Sequence, residues 1–371
     1  MINGKIKIIY ILPSLSSGGA ERVTLDLIYN LDRKVFTPEL LLFNGGGFFH
    51  QEALSHGLRV VIFKKRFKFD IFNFFKIYKY IKNTQPDIVH TGLGGDIYGK
   101  IAAKIAKIKI IVSTEHNVAI NDKTIIRRLK GLTAKWSNKI VAISESVKKD
   151  ILREYKIPSE KVDLIYNGLY VDNFKKEENQ DRIKKESDTI IIGSVGRLTE
   201  QKNFSLLLRA LDQVKNRNFK CLIVGEGELR SQLEQEIKDL DLSNKVELLG
   251  TTSNINGFLN KLDLFVLPSK WEGLGITLLE AGLVKLPVLA SATGGIVDII
   301  KHKENGLLFN NNDLSDLTDM LNGCLDFNNR EYLLKLGEKL SYDIRERFDI
   351  KKTSGQYQDM YKKLVQDNIY N

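Results

Sequence analysis

Short apolar runs rich in Ile, Val and Leu alternate along this chain with longer stretches whose apolar residues recur every three or four positions. The runs at 5–12, 37–43, 58–63, 88–91, 110–114 and 139–143 read as β-strands, as do 190–195, 220–224, 246–249, 264–267, 288–290 and 306–309. Strands buried on both faces need nearly continuous apolar runs rather than alternation, and these runs are of that kind. Residues 20–31, 70–83, 204–215 and 229–240 carry the helical period between them. Strands alternating with helices predict an α/β fold with parallel sheets covered on both faces.

Residues 173–188 break the rhythm, being polar, heavily charged and nearly free of apolar side chains, and read as a linker. The expected organisation is a Rossmann-like domain over 1–172, the linker at 173–188, a second Rossmann-like domain over 189–349 and a closing helix within 350–371. That helix carries Tyr357, Met360, Tyr361 and Leu364, which suits it to brace the first domain, although the sequence does not fix where it docks. Doubly wound sheets bind ligands beyond the carboxyl ends of their strands, so the two halves are expected to face each other across a cleft.

Composition narrows this picture. A chain of 371 residues is long for one core and suits two domains. At 43% hydrophobic and 27% charged residues it has the balance of a soluble globular protein, and no apolar run approaches the roughly 20 residues of a membrane span. The apolar stretch 6–12 runs into a Pro-Ser turn and reads as a first strand rather than a leader. Cys221 and Cys324 sit in ordinary core contexts, which fits a cytoplasmic location and gives neither a disulfide framework nor a metal cluster.

The net charge of +10 is uneven: residues 1–180 carry 30 Lys and Arg against 18 Asp and Glu, while residues 181–371 are slightly acidic. The first half is therefore expected to meet something anionic, a phosphorylated substrate or an acidic lipid surface, unless its basic face is simply solvated. Nucleic acid has no support beyond charge, because no zinc-finger spacing or RNA-binding aromatic motif accompanies it.

Several turns carry chemistry. Ser17-Gly18-Gly19 follows the first strand and opens a helix, where free N–H groups favour phosphate. Arg197 and Lys202 follow the first strand of the second half and can oppose the charge that develops on a leaving diphosphate. Glu272, Gly273, Leu274 and Gly275 precede a helix expected from Ile276, and Glu280 stands on that helix, eight residues after Glu272. Carboxylates at such places accept paired hydrogen bonds from vicinal hydroxyls. His116 lies just beyond the strand 110–114, and His90 ends the strand 88–91.

Taken together, SGGAE at 17–21, STEHN at 113–117, GSVGRLTEQKN at 193–203, VGEGEL at 224–229, PSKWEGLGITLLEA at 268–281, ATGGIVDII at 292–300 and NGLLF at 305–309 resemble family 4 of the retaining glycosyltransferases. The pieces occur in that family's order and cover nearly the whole chain. The resemblance implies the GT-B fold and transfer of a hexose or HexNAc from a nucleotide-diphosphate sugar, UDP being favoured, with no metal or other cofactor. It implies that Gly18 and Gly19 lie over the donor diphosphate, that Arg197 and Lys202 bind that diphosphate, and that Glu272 with Gly273, Leu274 and Gly275 contacts the donor sugar. Glu280 falls to the nucleotide ribose and His116 to the reaction centre. His90 is a secondary candidate for acceptor contact. Asp298 stands where many members carry glutamate, so its role is open. Asp239-Leu240-Asp241 reads as a solvated helix-end turn rather than a metal site.

No carboxylate in the matched motifs is an obvious nucleophile, so the resemblance favours front-face attack with retention of configuration. The acceptor is expected to be a glycan, lipid-linked through a polyprenyl diphosphate, in bacterial polysaccharide, O-antigen or oligosaccharide assembly. The basic, aromatic segments 64–69 and 123–139 read either as core-packing or as contacts to the inner face of an anionic membrane, whereas the stripe Ile71, Phe74, Phe75, Tyr78 and Ile81 reads as core-facing. An epimerase of the same fold, or a non-catalytic partner of a transferase, remains the alternative.

Overall fold

The computed structural model of the chain describes residues 4–67, 70–117, 124–175, 189–216 and 218–369. Most of the expected linker, with Lys68, Phe69 and Lys123, lies outside the described residues. The chain forms two compact units, one built from Met1–Leu169 with Phe348–Asn371, the other from Tyr170–Arg347.

The first unit holds a seven-stranded sheet in the order β3-β2-β1-β4-β5-β6-β7. Its strands are β1 (Ile6–Leu12), β2 (Phe36–Leu42), β3 (Arg59–Ile62), β4 (Ile88–Gly92), β5 (Ile110–Glu115), β6 (Lys139–Ala142) and β7 (Val162–Leu164), and every pair is parallel. Alternation along β1 divides the core: Ile6, Ile8, Tyr10 and Leu12 pack on one face, Ile9 and Ile11 on the other. The first face is covered by α1 (Gly19–Tyr29) and by α14 (Ile350–Ile369), whose Tyr357, Met360, Tyr361, Leu364 and Val365 enter the same cluster as Tyr10. The second is covered by α3 (Ile71–Thr84) and α4 (Asp96–Ile105) through Ile77, Ile81, Ala102 and Ala103. The Asp70 side chain caps α3 by accepting the Asn73 N–H at 3.0 Å.

The two chain segments of this unit meet at Gly168 and Leu169. The Leu169 N–H donates to the Phe348 carbonyl and the Ile350 N–H to the Leu169 carbonyl, both at 2.9 Å. A Cβ on Gly168 would lie 2.6 Å from the Ile350 Cα, so only glycine allows this crossing.

The second unit repeats the plan with six strands in the order β10-β9-β8-β11-β12-β13. These are β8 (Ile190–Val195), β9 (Phe219–Val224), β10 (Val246–Gly250), β11 (Leu264–Leu267), β12 (Val288–Ser291) and β13 (Leu307–Phe309). All pairs are parallel, and Ile192, Ile223, Val266 and Leu289 share one core with Leu207 and Leu211 of α7 (Phe204–Gln213). In both sheets the strand order reverses beside the first strand of the unit, between β1 and β4 and between β8 and β11, which is where doubly wound sheets take ligands.

Twelve strands lie where the apolar runs place them, with ends shifted by a residue or two. β7 has no counterpart among the expectations: at three residues, with Asp163 in its middle, it offers no run to read. Of the core-facing stripe expected on 71–81, Ile81 is in the core and Phe74 and Tyr78 pack against it, whereas the expectation for Ile71 and Phe75 is corrected. Asn73, Ile77 and Ile81 face inward, while Ile71, Phe72 and Phe75 stand exposed.

Candidate functional site

In the second unit, two turns at the carboxyl edge are tied to each other. One runs from β8 to α7 and carries Arg197 and Lys202; the other runs from β11 to α10 (Ile276–Leu283) and carries Glu272. The Lys270 N–H donates to the Gln201 carbonyl at 2.8 Å, and Gln201 Nε2 donates to the Trp271 carbonyl at 3.1 Å. Between these backbone ties, Lys202 Nζ donates to Glu272 Oε2 at 2.7 Å, and Ser269 Oγ donates to the same oxygen at 3.2 Å. Glu272 is buried, and a carboxylate so placed needs both partners.

The backbone of Glu272 is fixed from a third side. The Gly295 N–H donates to the Glu272 carbonyl at 3.1 Å. Gly294, at φ +53°, passes so close that a Cβ there would sit 1.8 Å from that carbonyl oxygen. Gly273, Leu274 and Gly275 complete the turn, and Gly275 caps α10 at φ +96°, a conformation costly for any residue with a Cβ. The N–H groups opening α10 have no capping side chain. Thr277, in the first turn of α10, and Thr199, in the Lys202 turn, have buried hydroxyls without a hydrogen-bond partner.

The arrangement thus brings together Lys202, Glu272, Gly273, Leu274 and Gly275. Arg197 lies on the same turn as Lys202 but is exposed, and among the described residues it has no ion-pair partner. Glu280 is half-buried along α10. Asp298 lies half-buried in α11 (Ile296–Ile299), where its backbone carbonyl accepts from Arg347 at 3.0 Å. Ser269, Thr277 and Thr199 are additional to the sequence reading. Each sits inside a matched motif, but only the fold gives Ser269 its carboxylate and leaves the two threonines unpartnered.

In the first unit, Gly18 caps α1 in extended geometry with no side-chain cap, and Gly19 is exposed at the first helical position. Glu21 in the first turn accepts from Ser16, a carboxylate at the positive end of the helix. His116, just past β5, is buried and its Nδ1 has no hydrogen-bond partner. Desolvation, partly offset by the charge of Asp96, pushes its pKa down to about 4, so the ring is neutral near pH 7. It can donate or accept a hydrogen bond there, but it is not a cation. A small cavity runs among Tyr10, His90, Thr114, His116, Thr353 and Tyr357.

The acceptor contact expected of His90 is corrected. His90 is 3% exposed and stacks on Tyr10 with ring centroids 4.9 Å apart. Its Nδ1 bonds the Tyr361 hydroxyl at 2.5 Å and its Nε2 bonds Thr114 Oγ1 at 2.9 Å. With both nitrogens engaged, burial pushes its pKa down to about 3. It is a core residue that joins the sheet to α14.

Asp239 ends α8 (Arg230–Asp239) and Asp241 follows at φ +52°, so the Asp-x-Asp pair forms a helix-end turn. Among the described residues no group of three or more His, Cys, Asp or Glu is placed to hold a metal ion, and no helix is long and apolar enough to cross a membrane. Cys221 and Cys324 are buried thiols whose pKa values burial pushes up to about 12.

Comparison with known proteins adds the following. Residues 17–173 match the family described as Glycosyltransferase Family 4, and residues 175–341 match Glycosyl transferases group 1. The UDP-Gal:alpha-D-GlcNAc-diphosphoundecaprenol alpha-1,3-galactosyltransferase of Escherichia coli is 26% identical, over 98% of each chain. A Campylobacter jejuni alpha-1,4-N-acetyl-D-galactosaminyltransferase acting on a diNAcBac-PP-undecaprenol glycan is 29% identical, over 82% of this chain and 84% of the relative. Among solved structures, Anabaena Alr3699/HepE in complex with UDP-glucose superposes with a TM-score of 0.86 at 21% identity, over 96% of this chain and 100% of the other. A glycosyltransferase from Rickettsia africae superposes with a TM-score of 0.83 at 25% identity, over 97% and 99%.

Proposed function

This chain belongs to the family 4 glycosyltransferases and has their two-unit GT-B fold, and from that premise we propose that it moves a hexose or HexNAc from a UDP-sugar to a polyprenyl-diphosphate-linked glycan, with retention and without a metal. The observation that carries the reading is the buried Lys202–Glu272 pair beside the glycine turn that opens α10. Arg197 and Lys202 take the donor diphosphate, two fixed cations opposing the charge that gathers on the leaving group. Glu272 and the N–H groups of Gly273 to Gly275 take the hydroxyls of the donor sugar, and Glu280 the ribose. Gly18 and Gly19 serve the diphosphate from the first unit. His116, neutral and with an unused nitrogen, hydrogen-bonds a sugar hydroxyl near the reacting carbon.

In this mechanism the bond from the anomeric carbon to the diphosphate breaks as the acceptor oxygen bonds on the same face, and the departing phosphate oxygen takes the acceptor's proton. Support for retention comes from the α linkages in the names of the Escherichia coli and Campylobacter relatives, because UDP-hexoses are themselves α-linked. Those names also support a lipid-linked acceptor in bacterial glycan assembly.

Contact with an anionic membrane belongs to the same reading. α4 packs between α3 and α5 (Thr124–Ala134), and this layer leaves Phe72, Phe75, Ile125 and Leu132 exposed, with Trp136 just beyond it. Lys76, Lys79, Lys104, Arg128 and Lys135, on or next to the same helices, are exposed as well. Exposed bulky apolar groups on helices that also expose cations suit the interface of an acidic bilayer, where a lipid-linked acceptor resides.

The first test is a thermal-shift screen against UDP, GDP, ADP and their sugars, with and without EDTA. A ligand that binds the native state raises the melting temperature. A shift with UDP-sugars that survives EDTA is expected. No shift with any nucleotide would sink the donor assignment. A β-linked product, seen by NMR, would sink retention.

A further inference from the structure

The reaction as described gives Lys202 to the diphosphate and Glu272 to the sugar, yet the fold bonds these two side chains to each other. Lys202 Nζ lies 2.7 Å from Glu272 Oε2, and both side chains are largely buried. Opposite charges this close and this far out of water hold each other, so a second anion meets little of the lysine's charge. Arg197, exposed on the same turn, has its charge available at once.

The two ends of the bond are not equally movable. Ser269 Oγ donates to the same Glu272 oxygen at 3.2 Å, and Ser269 is itself fully buried, its carbonyl accepting from Ser291 Oγ at 2.6 Å. The Gly295 N–H holds the Glu272 carbonyl, and Gln201 Nε2 holds that of Trp271. Glu272 is therefore fixed along its backbone, and its carboxylate has a second donor. Lys202 differs. Its stem runs past Gly196, where a Cβ would lie 3.0 Å from the lysine Cε and 3.1 Å from Cδ and Cγ. Four rotatable bonds in that stem let the ammonium swing while its backbone stays in place. When the bond opens, the lysine is the part that moves.

We propose that Glu272 is a latch on Lys202. It holds the ammonium until the hydroxyls of a bound donor sugar take up the carboxylate oxygens, and the released charge then closes on the diphosphate. Once the sugar has been transferred, Glu272 takes the lysine back, and Arg197 alone is left to hold the nucleoside diphosphate, which departs. Ser269 is the positioning residue that keeps the carboxylate in place while the lysine is away. The inference rests on the donor assignment above and adds to it a coupling between the sugar and diphosphate ends of the site.

Glu272→Gln tests the latch, because the amide keeps the shape and an acceptor oxygen but gives up the charge. Calorimetric titration uses whichever of UDP, GDP and ADP the wild type binds most tightly. The Gln variant should bind that nucleotide about tenfold more tightly, the scale of one charge-assisted hydrogen bond. The matching sugar nucleotide, which already opens the latch in the wild type, should gain nothing. Lys202→Gln, an uncharged side chain that still donates, provides the control. In that background Glu272→Gln should leave affinity unchanged, because there is no ammonium to release. Ser269→Ala should bind the nucleoside diphosphate within about twofold of the wild type but the sugar nucleotide about tenfold more weakly, a split that general loosening of the turn does not produce.

An equal gain from Glu272→Gln with and without Lys202 would show that the carboxylate merely repels the diphosphate, and the latch would be overturned. Equal gains for the nucleoside diphosphate and its sugar nucleotide would overturn the exchange. Equal weakening of both by Ser269→Ala would remove its positioning role. Tight wild-type binding that Glu272→Gln does not improve rejects the latch and leaves the donor site standing. A wild type that binds none of the three nucleotides loses the donor assignment and the latch together.

Discussion

At the scale of single residues, the two cations on the β8–α7 turn separate chemistry from stability. Arg197 is exposed and has no ion-pair partner among the described residues, so Arg197→Ala should leave stability within about 0.5 kcal/mol. It should still cut kcat/KM on the order of a hundredfold, as loss of a charge-stabilising donor does. Lys202→Ala removes the partner of a buried carboxylate and leaves Glu272 with Ser269 alone. It should lower both activity and the melting temperature, at a cost of about 2 kcal/mol. Differential scanning calorimetry beside initial rates distinguishes the two, and near-normal turnover in both would remove this turn from the site. Gly294→Ala is a sharper probe, since its Cβ would strike the Glu272 carbonyl from a left-handed backbone. The strain, about 1–3 kcal/mol, should be relieved by displacing Glu272, so donor affinity falls even where the fold survives. What the sequence offers at this scale is residue type and neighbourhood. Lys202 and Glu272 can be singled out from their turns, but they are 70 positions apart and their bond exists only in the fold. His90 could be misjudged for the same reason, since the hydroxyl that takes its Nδ1 arrives 271 residues later.

At the scale of elements, the parallel strands were legible because burial on both faces leaves an apolar run with little else in it. β7 was not, because an edge strand of three residues needs no such run. α3 shows where periodicity misleads. Its apolar residues fall in two stripes, and the core takes the one through Ile77 and Ile81, with Phe74 and Tyr78 packed against it. The other stripe, with Phe72 and Phe75, is then free for a second purpose, and Trp136 beyond α5 adds to it. A combined Phe72→Ser, Phe75→Ser and Trp136→Ser variant should sediment poorly with phosphatidylglycerol vesicles while melting within a few degrees of the wild type. Equal sedimentation of both proteins with acidic vesicles would show that this layer does not meet the bilayer. Wild-type binding to neutral phosphatidylcholine vesicles as strong as to acidic ones would deny the cations their part.

At the scale of the whole molecule, the second unit is one continuous stretch of chain, whereas the first is closed by its last helix. Tyr361 is fully buried, bonded to Tyr10 at 3.0 Å and to His90, so α14 is part of that core rather than a strap over it. Tyr361→Ala should cost about 3–5 kcal/mol and lower the melting temperature of the first unit, seen as faster amide exchange in β1 and β4. Exchange confined to α14 itself would show that the helix merely rests on the surface. The arrangement also sets an order of events on the ribosome. Residues 170–347 can fold as soon as they emerge, but the sheet that begins at Ile6 waits for α14, nearly the whole length of the chain, before its inner face is sealed. During synthesis the earliest segment is therefore the last to become safe from aggregation, and nascent chains stalled before residue 350 should be the ones that chaperones hold.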